Sequence, residues 1–203
     1  MNQHSTAKLA NISHSVVVVI DLQGKLMEMI HRPNLVIAAT CRLMKVADLF
    51  EVPILLTEQY REGLGGTHPR VQEVFESLST RKQLLGKTSF GCCGDPGFEV
   101  ALRDLLPGIE TSERQLIIAG IEAHICVMQT VLESLTAGNQ AQLCWECVSS
   151  RGAEYRQWAL GRMQQAGAVM TNHESVAFEW ARDKNHPQFK AMSNLLKEGQ
   201  LVD

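Results

Sequence analysis

Two periodicities alternate along the chain. Short, almost wholly apolar runs read as strands buried on both faces: SVVVVID (Ser15–Asp21), PILLT (Pro53–Thr57), QLIIAG (Gln115–Gly120) and AQLCWECV (Ala141–Val148). KQLLGK (Lys82–Lys87) and AVMT (Ala168–Thr171) read as weaker strands. Between them lie stretches with apolar residues at helical spacing. One runs from Pro33 to about Phe50, with Leu35, Ala38, Ala39, Leu43 and Val46 recurring along it. Pro69–Leu78, Ile125–Ala137 and Glu154–Ala166 are further helices, and two helical pieces finish the chain. Asp95 and Pro96 supply a cap and a first-turn proline for a helix to Leu106. Strand–helix alternation of this kind predicts an α/β fold, a parallel sheet with helices on both faces. No repeat, low-complexity segment or linker divides it. Residues 1–203 are therefore expected to form one domain, with 1–13 as a flexible N-terminal segment.

Composition narrows the partners. With 203 residues, 45% of them hydrophobic, the chain is long enough for one well-buried core. A net charge of −3 gives no electrostatic reason to expect nucleic acid or an anionic membrane as partner. The longest apolar runs, such as Val16–Ile20, fall far short of the ~18 residues needed to span a bilayer. The opening MNQHSTAKLANISHS lacks the apolar core of a secretory signal. Six cysteines in a chain of this class suit a reducing compartment better than a disulfide scaffold, so a cytoplasmic protein is expected.

In such sheets the site lies at the carboxyl ends of the strands, beside the point where strand order reverses. The residues leaving those ends include Asp21, Glu58, Lys87, the turn Gly120–Cys126, and Ser149–Arg151. An acid, a lysine and a cysteine thus converge from separate strands. Cys126 falls in the first turn of its helix, where unpaired N–H groups favour an anion, and an ammonium such as Lys87 would lower the thiol pKa further. Asp21 would accept the thiol proton and deliver it to a leaving group, with Lys87 holding both anions. Backbone N–H groups of Glu122 and Cys126 could stabilise an oxyanion. Each residue also has a plain structural reading: a buried helix cysteine, a carboxylate capping the next helix, a solvated lysine. The pocket candidates are Gln23, Glu58, Tyr60, Phe90 and His124, with His124 equally able to cap the turn.

Other motifs carry less. Cys144 and Cys147 form a C-x-x-C inside a strand rather than at a helix start, which disfavours a thioredoxin-type role. Adding Cys92 and Cys93 gives four thiols, but the spacing is wrong for zinc. Cys41 lies mid-helix. The seven histidines show no H-x-x-x-H or D-x-H pattern, so no metal is expected. GLGG lacks the spacing of a phosphate cradle, and no cofactor is expected.

VVVVIDLQGK around Asp21, GKTSF around Lys87 and GIEAHICVMQT around Cys126 resemble the isochorismatase-like cysteine hydrolases over essentially the full length. That group includes nicotinamidases and N-carbamoylsarcosine amidohydrolase. LLTEQYREGLGGTHP, CVSSRG, ALGRMQQAGA and HPQFK resemble its isochorismatase-domain-containing subgroup. The resemblance implies a Rossmann-like, three-layer α/β/α fold with a six-stranded parallel sheet, and an Asp–Lys–Cys triad carried onto Asp21, Lys87 and Cys126. It also implies a cis peptide at Ile121–Glu122, aiming the Glu122 and Cys126 N–H groups at the oxyanion, and assembly as a homo-oligomer. Two departures matter. No metal-binding Asp and His group follows TEQY, which weakens nicotinamide as substrate. Members acting on isochorismate generally lack the nucleophilic cysteine, so Cys126 argues against that activity. The expected protein is a cysteine amidohydrolase cleaving a C–N bond of a small carboxamide through a thioester. The alternatives are a catalytically silent binding or scaffold protein and a redox protein using Cys144 and Cys147.

Overall fold

The computed structural model describes residues 9–198. Its strands are β1 (Ser15–Ile20), β2 (Ile54–Gln59), β3 (Lys82–Lys87), β4 (Gln115–Gly120), β5 (Gln140–Val148) and β6 (Val169–Thr171). They form a six-stranded sheet in the order β3-β2-β1-β4-β5-β6, and every pairing is parallel. The helices are α1 (Gly24–Met27), α2 (Pro33–Leu49), α3 (Arg61–Leu64), α4 (Pro69–Ser77) and α5 (Pro96–Leu105). They continue with α6 (Met128–Thr136), α7 (Ala153–Gln165), α8 (His173–Ala181) and α9 (Phe189–Lys197). Among the described residues no helix is long and apolar enough to cross a membrane.

The apolar run of β1 explains the layering. Alternate side chains of a strand point to opposite faces, so a strand covered on both sides must be apolar at both parities. Val17 and Val19 join one core with residues of α2, α4, α8 and α9, while Val16, Val18 and Ile20 join the other with residues of α5, α6 and α7. The three-layer α/β/α architecture follows.

Several boundaries differ from the sequence pattern for visible reasons. β2 runs two residues past Thr57 because Glu58 and Gln59 still pair with Gly86 and Lys87 of β3. The register of β4 against β5 shifts between Ile118 and Gly120, whose partners are Leu143 and Val148. This bulge leaves Trp145 exposed and brings both Cys144 and Cys147 into the α2 side of the core, although residues three apart in a regular strand face opposite sides. Of the N-terminal segment 1–13, residues 1–8 lie outside the described residues. The remainder is tied down rather than loose: Ala10 is buried and its N–H donates to Glu179 Oε2 at 2.6 Å, and Asn11 N–H donates to Gln115 Oε1 at 2.7 Å.

Candidate active site

Strand order reverses at β1 and β4, and Asp21 and Cys126 follow those two strands. Asp21 leaves β1 in the left-handed region, with φ of 53°. Its side chain is fully buried: Oδ1 accepts from Thr57 Oγ1 at 2.7 Å and Oδ2 accepts from Lys87 Nζ at 2.7 Å. A buried ion pair is tolerated only when the remaining donors are satisfied. Lys87 meets this with its two remaining N–H groups, which reach Gln59 Oε1 at 2.9 Å and, with one hydrogen shared between two acceptors, the carbonyls of Ser89 and Phe90 at 3.2 and 3.1 Å.

Lys87 stands two strands from β1, and the intervening strand provides the link. Gln59, the last residue of β2, is in register opposite Lys87. Its Nε2 donates to Thr88 O at 2.7 Å, which turns Oε1 toward the ammonium. Gln59 was not among the residues singled out from the sequence, because a glutamine after a strand gives no local sign of such a role. Gln23, expected in the pocket, is fully buried, with its amide given to the main chain of Gln59 and Gly65. Glu58 is likewise engaged by the Thr67 N–H and hydroxyl, at 2.7 and 2.8 Å, and by Arg61. Burial alone would raise the Glu58 carboxyl, but these hydrogen bonds hold it below the usual carboxylate range. Both side chains therefore hold the 58–67 loop. Tyr60 and Phe90 are exposed on the segments following β2 and β3.

The helix carrying Cys126 opens earlier than its periodicity predicts, with a π-helical turn over Ala123–Val127. The Ile121–Glu122 peptide preceding it is cis. Ala123 N–H donates to Ser149 O at 2.7 Å, anchoring the turn to the end of β5. Glu122 pairs with Arg151 through Nε and Nη2 at 2.9 and 2.6 Å. Burial pushes the Glu122 carboxyl up, but Arg151 outweighs it and holds the carboxyl down. His124 meets Ser150 Oγ at 3.0 Å through Nδ1 and stacks on Tyr155 with ring centroids 4.9 Å apart.

The expectation of a depressed thiol pKa at Cys126 is overturned. Burial pushes the thiol up, Asp21 raises it further by charge and as hydrogen-bond acceptor, and Lys87 opposes them without prevailing, leaving it at about 12. The proton therefore rests on sulfur at neutral pH, beside the Asp21 carboxylate. Cys92 was also missed: fully buried, it feels Lys87 and Asp21, and burial above all pushes its thiol up to about 12. Cys144 and Cys147 pack in the core on the opposite face of the sheet from Cys92 and Cys126, so these thiols do not form one cluster. Among the described residues no group of three or more His, Cys, Asp or Glu side chains is placed to hold a metal ion.

A doubly wound parallel sheet with an acid, a lysine and a cysteine gathered at its switch point defines an α/β protein built like a hydrolase. The Isochorismatase domain matches residues 15–175, and the chain belongs to the isochorismatase-like hydrolase family. Isochorismatase domain-containing protein 2 of Homo sapiens is 36% identical over 184 residues, 91% of this chain and 83% of that protein. The mouse protein 2A is 35% identical over the same shares. The MAR1 ribonuclease structure from Caenorhabditis elegans superposes with a TM-score of 0.84 at 31% identity, covering 97% of this chain and 95% of that one. Escherichia coli YcaC, described as an octameric hydrolase of unknown specificity, has the same fold, with a TM-score of 0.70 at 23% identity and coverage of 93% and 94%.

Proposed function

We propose that the protein is a cysteine amidohydrolase that cleaves the C–N bond of a small carboxamide. The observation that carries this reading is a buried thiol beside a buried carboxylate that is itself held by a lysine at 2.7 Å. Asp21 takes the Cys126 proton as sulfur attacks the carbonyl carbon. The N–H groups of Glu122 and Cys126 receive the oxyanion. Asp21 returns the proton to the departing nitrogen, ammonia or an amine leaves, and a thioester remains on Cys126. Asp21 then deprotonates a water, which attacks the thioester; the acid product departs and the proton returns to sulfur. Lys87 orients Asp21 and stabilises negative charge as sulfur loses its proton. His124, Tyr60 and Phe90 line the approach. The six cysteines, all free, suit a cytoplasmic setting.

The Caenorhabditis elegans relative is described as a ribonuclease. For this chain a net charge of −3 supplies no basic footprint for RNA, and small amides are the better substrate class. The test is a panel of small carboxamides with an RNA oligonucleotide alongside, assayed for ammonia release, strand cleavage and an acyl adduct on Cys126 by mass spectrometry. Amide turnover that vanishes with Cys126→Ala supports the reading. RNA cleavage, or turnover unaffected by Cys126→Ala, overturns it.

Gln59 is assigned as a positioning residue. Gln59→Leu is expected to lower kcat about 10- to 100-fold with little change in KM, the scale of losing one hydrogen bond to a charged group. Gln59→Glu should keep the fold yet alter the pH profile, because a second carboxylate would compete with Asp21 for Lys87. A pH profile unchanged in Gln59→Glu would reduce Gln59 to a packing role.

A further inference from the structure

Helix α7 buries only Ala159 and Met163. Glu154, Gln157, Trp158, Gly161, Arg162 and Gln165 line a shallow groove on its outer side. Their spacing places them on one stripe of the helix. Two of them lack a reason within the chain. Trp158 is 79% exposed, the most exposed large apolar side chain among the described residues. Gly161 lies mid-helix, where glycine is a poor helix former, and nothing stands within 4 Å of the position a Cβ would occupy. No tight contact or turn in the chain calls for a glycine there. A notch beside an exposed indole is what a closely packed second helix would use.

The stripe is complementary to itself. Glu154 precedes Trp158 by one helical turn and Arg162 follows it by one turn. An antiparallel copy related by a two-fold axis at Trp158 sets each Glu154 opposite the other copy's Arg162. Side chains on a helix lean toward its N-terminus, so the indole of Trp158 covers the level of Tyr155. In the antiparallel arrangement that level faces Gly161 of the second copy. Charge, shape and the misplaced glycine therefore fit one geometry. We propose that the α7 stripe is an isologous interface with a second copy of this chain, two α7 helices packed antiparallel about an axis through Trp158. This goes beyond homo-oligomeric assembly in general by naming the face and its symmetry.

The test is sedimentation equilibrium of the full chain over a range of concentrations, with thermal melts of each variant. Arg162→Glu, which sets like charges against each other, is expected to raise the dissociation constant about 10-fold or more. Combined with Glu154→Arg, the charges are reversed but paired again, and the constant should return to within about 3-fold of the original. Gly161→Leu should lower the assembled mass while its melt stays cooperative, since the isolated helix has room for the side chain. A wild-type chain that stays monomeric overturns the proposal and leaves the stripe to another partner. So does assembly indifferent to both Gly161→Leu and Arg162→Glu, and so does an Arg162→Glu defect that the double exchange fails to repair.

Discussion

Asp21→Asn is expected to move two properties of Cys126 in opposite directions. Alkylation of the thiol by iodoacetamide at pH 8 should become faster, while amide turnover should fall about 1000-fold or more. Burial and Asp21 together push the thiol up to about 12, Asp21 through both its charge and its hydrogen bond, against the single lowering influence of Lys87. Asparagine removes the negative charge and keeps the shape; its single acceptor oxygen can take the Lys87 hydrogen bond while its amide NH2 donates to the Thr57 hydroxyl, which accepts instead of donating. The ammonium then becomes the nearest formal charge to sulfur, and a larger share of the thiol ionises at a given pH. Wild-type alkylation should therefore climb through pH 10 without a plateau, and the variant should level off earlier.

Turnover fails for a separate reason. A thiolate can attack an amide, but the tetrahedral intermediate expels whichever group leaves more easily. Without an acid to protonate the nitrogen, that group is sulfur, and the reaction runs backward. Removing one partner of a buried pair also costs about 3 kcal/mol or more, so the comparison belongs well below the melting temperature. Cys93, the exposed cysteine, should be replaced by serine in both proteins, and the Cys126 peptide quantified by mass spectrometry. Slower alkylation in Asp21→Asn, or preserved turnover, would show that Asp21 is not the proton acceptor.

The three groups of this proposed site were legible because their positions follow from local signals. Apolar runs mark the strands, and the parallel-sheet rule then points to whatever stands at their carboxyl ends. Asp21, Lys87 and Cys126 all stand there. Gln59 was not legible, since its link to Lys87 depends on the register of β2 against β3, a property of two distant segments. The direction of the Cys126 shift was misread for a similar reason. A helix start and a lysine are visible along the chain, whereas burial and an adjacent carboxylate are not. The four-residue helices α1 and α3 are too short to show a period, and the β5 bulge is hidden because CWECV reads as an ordinary strand end.

Gly120→Ala should be among the most damaging single substitutions in the chain. Gly120 ends β4 with φ of 128°, a conformation that alanine strongly disfavours. An added Cβ would stand 2.1 Å from the Ile20 carbonyl oxygen, 2.6 Å from its nitrogen and 2.7 Å from its Cα. All three atoms are main chain of β1, and Ile20 is the residue in register opposite Gly120, so no side chain can swing away. The two strands must part where Asp21 and Cys126 leave the sheet. The expected loss is about 4 kcal/mol or more, enough to lower the melting temperature by roughly 8–16 °C in a chain of this length. Gly86→Ala is the control: no atom lies within 4 Å of its added Cβ, and its φ is not in the left-handed range. Its melt should shift by no more than a few degrees. Any Gly120→Ala protein that folds should also lose turnover, because the strain separates Asp21 from Cys126, the proposed proton acceptor and nucleophile. A melt within a few degrees of wild type would mean that β1 and β4 yield at the switch point, and that the site does not depend on their close approach.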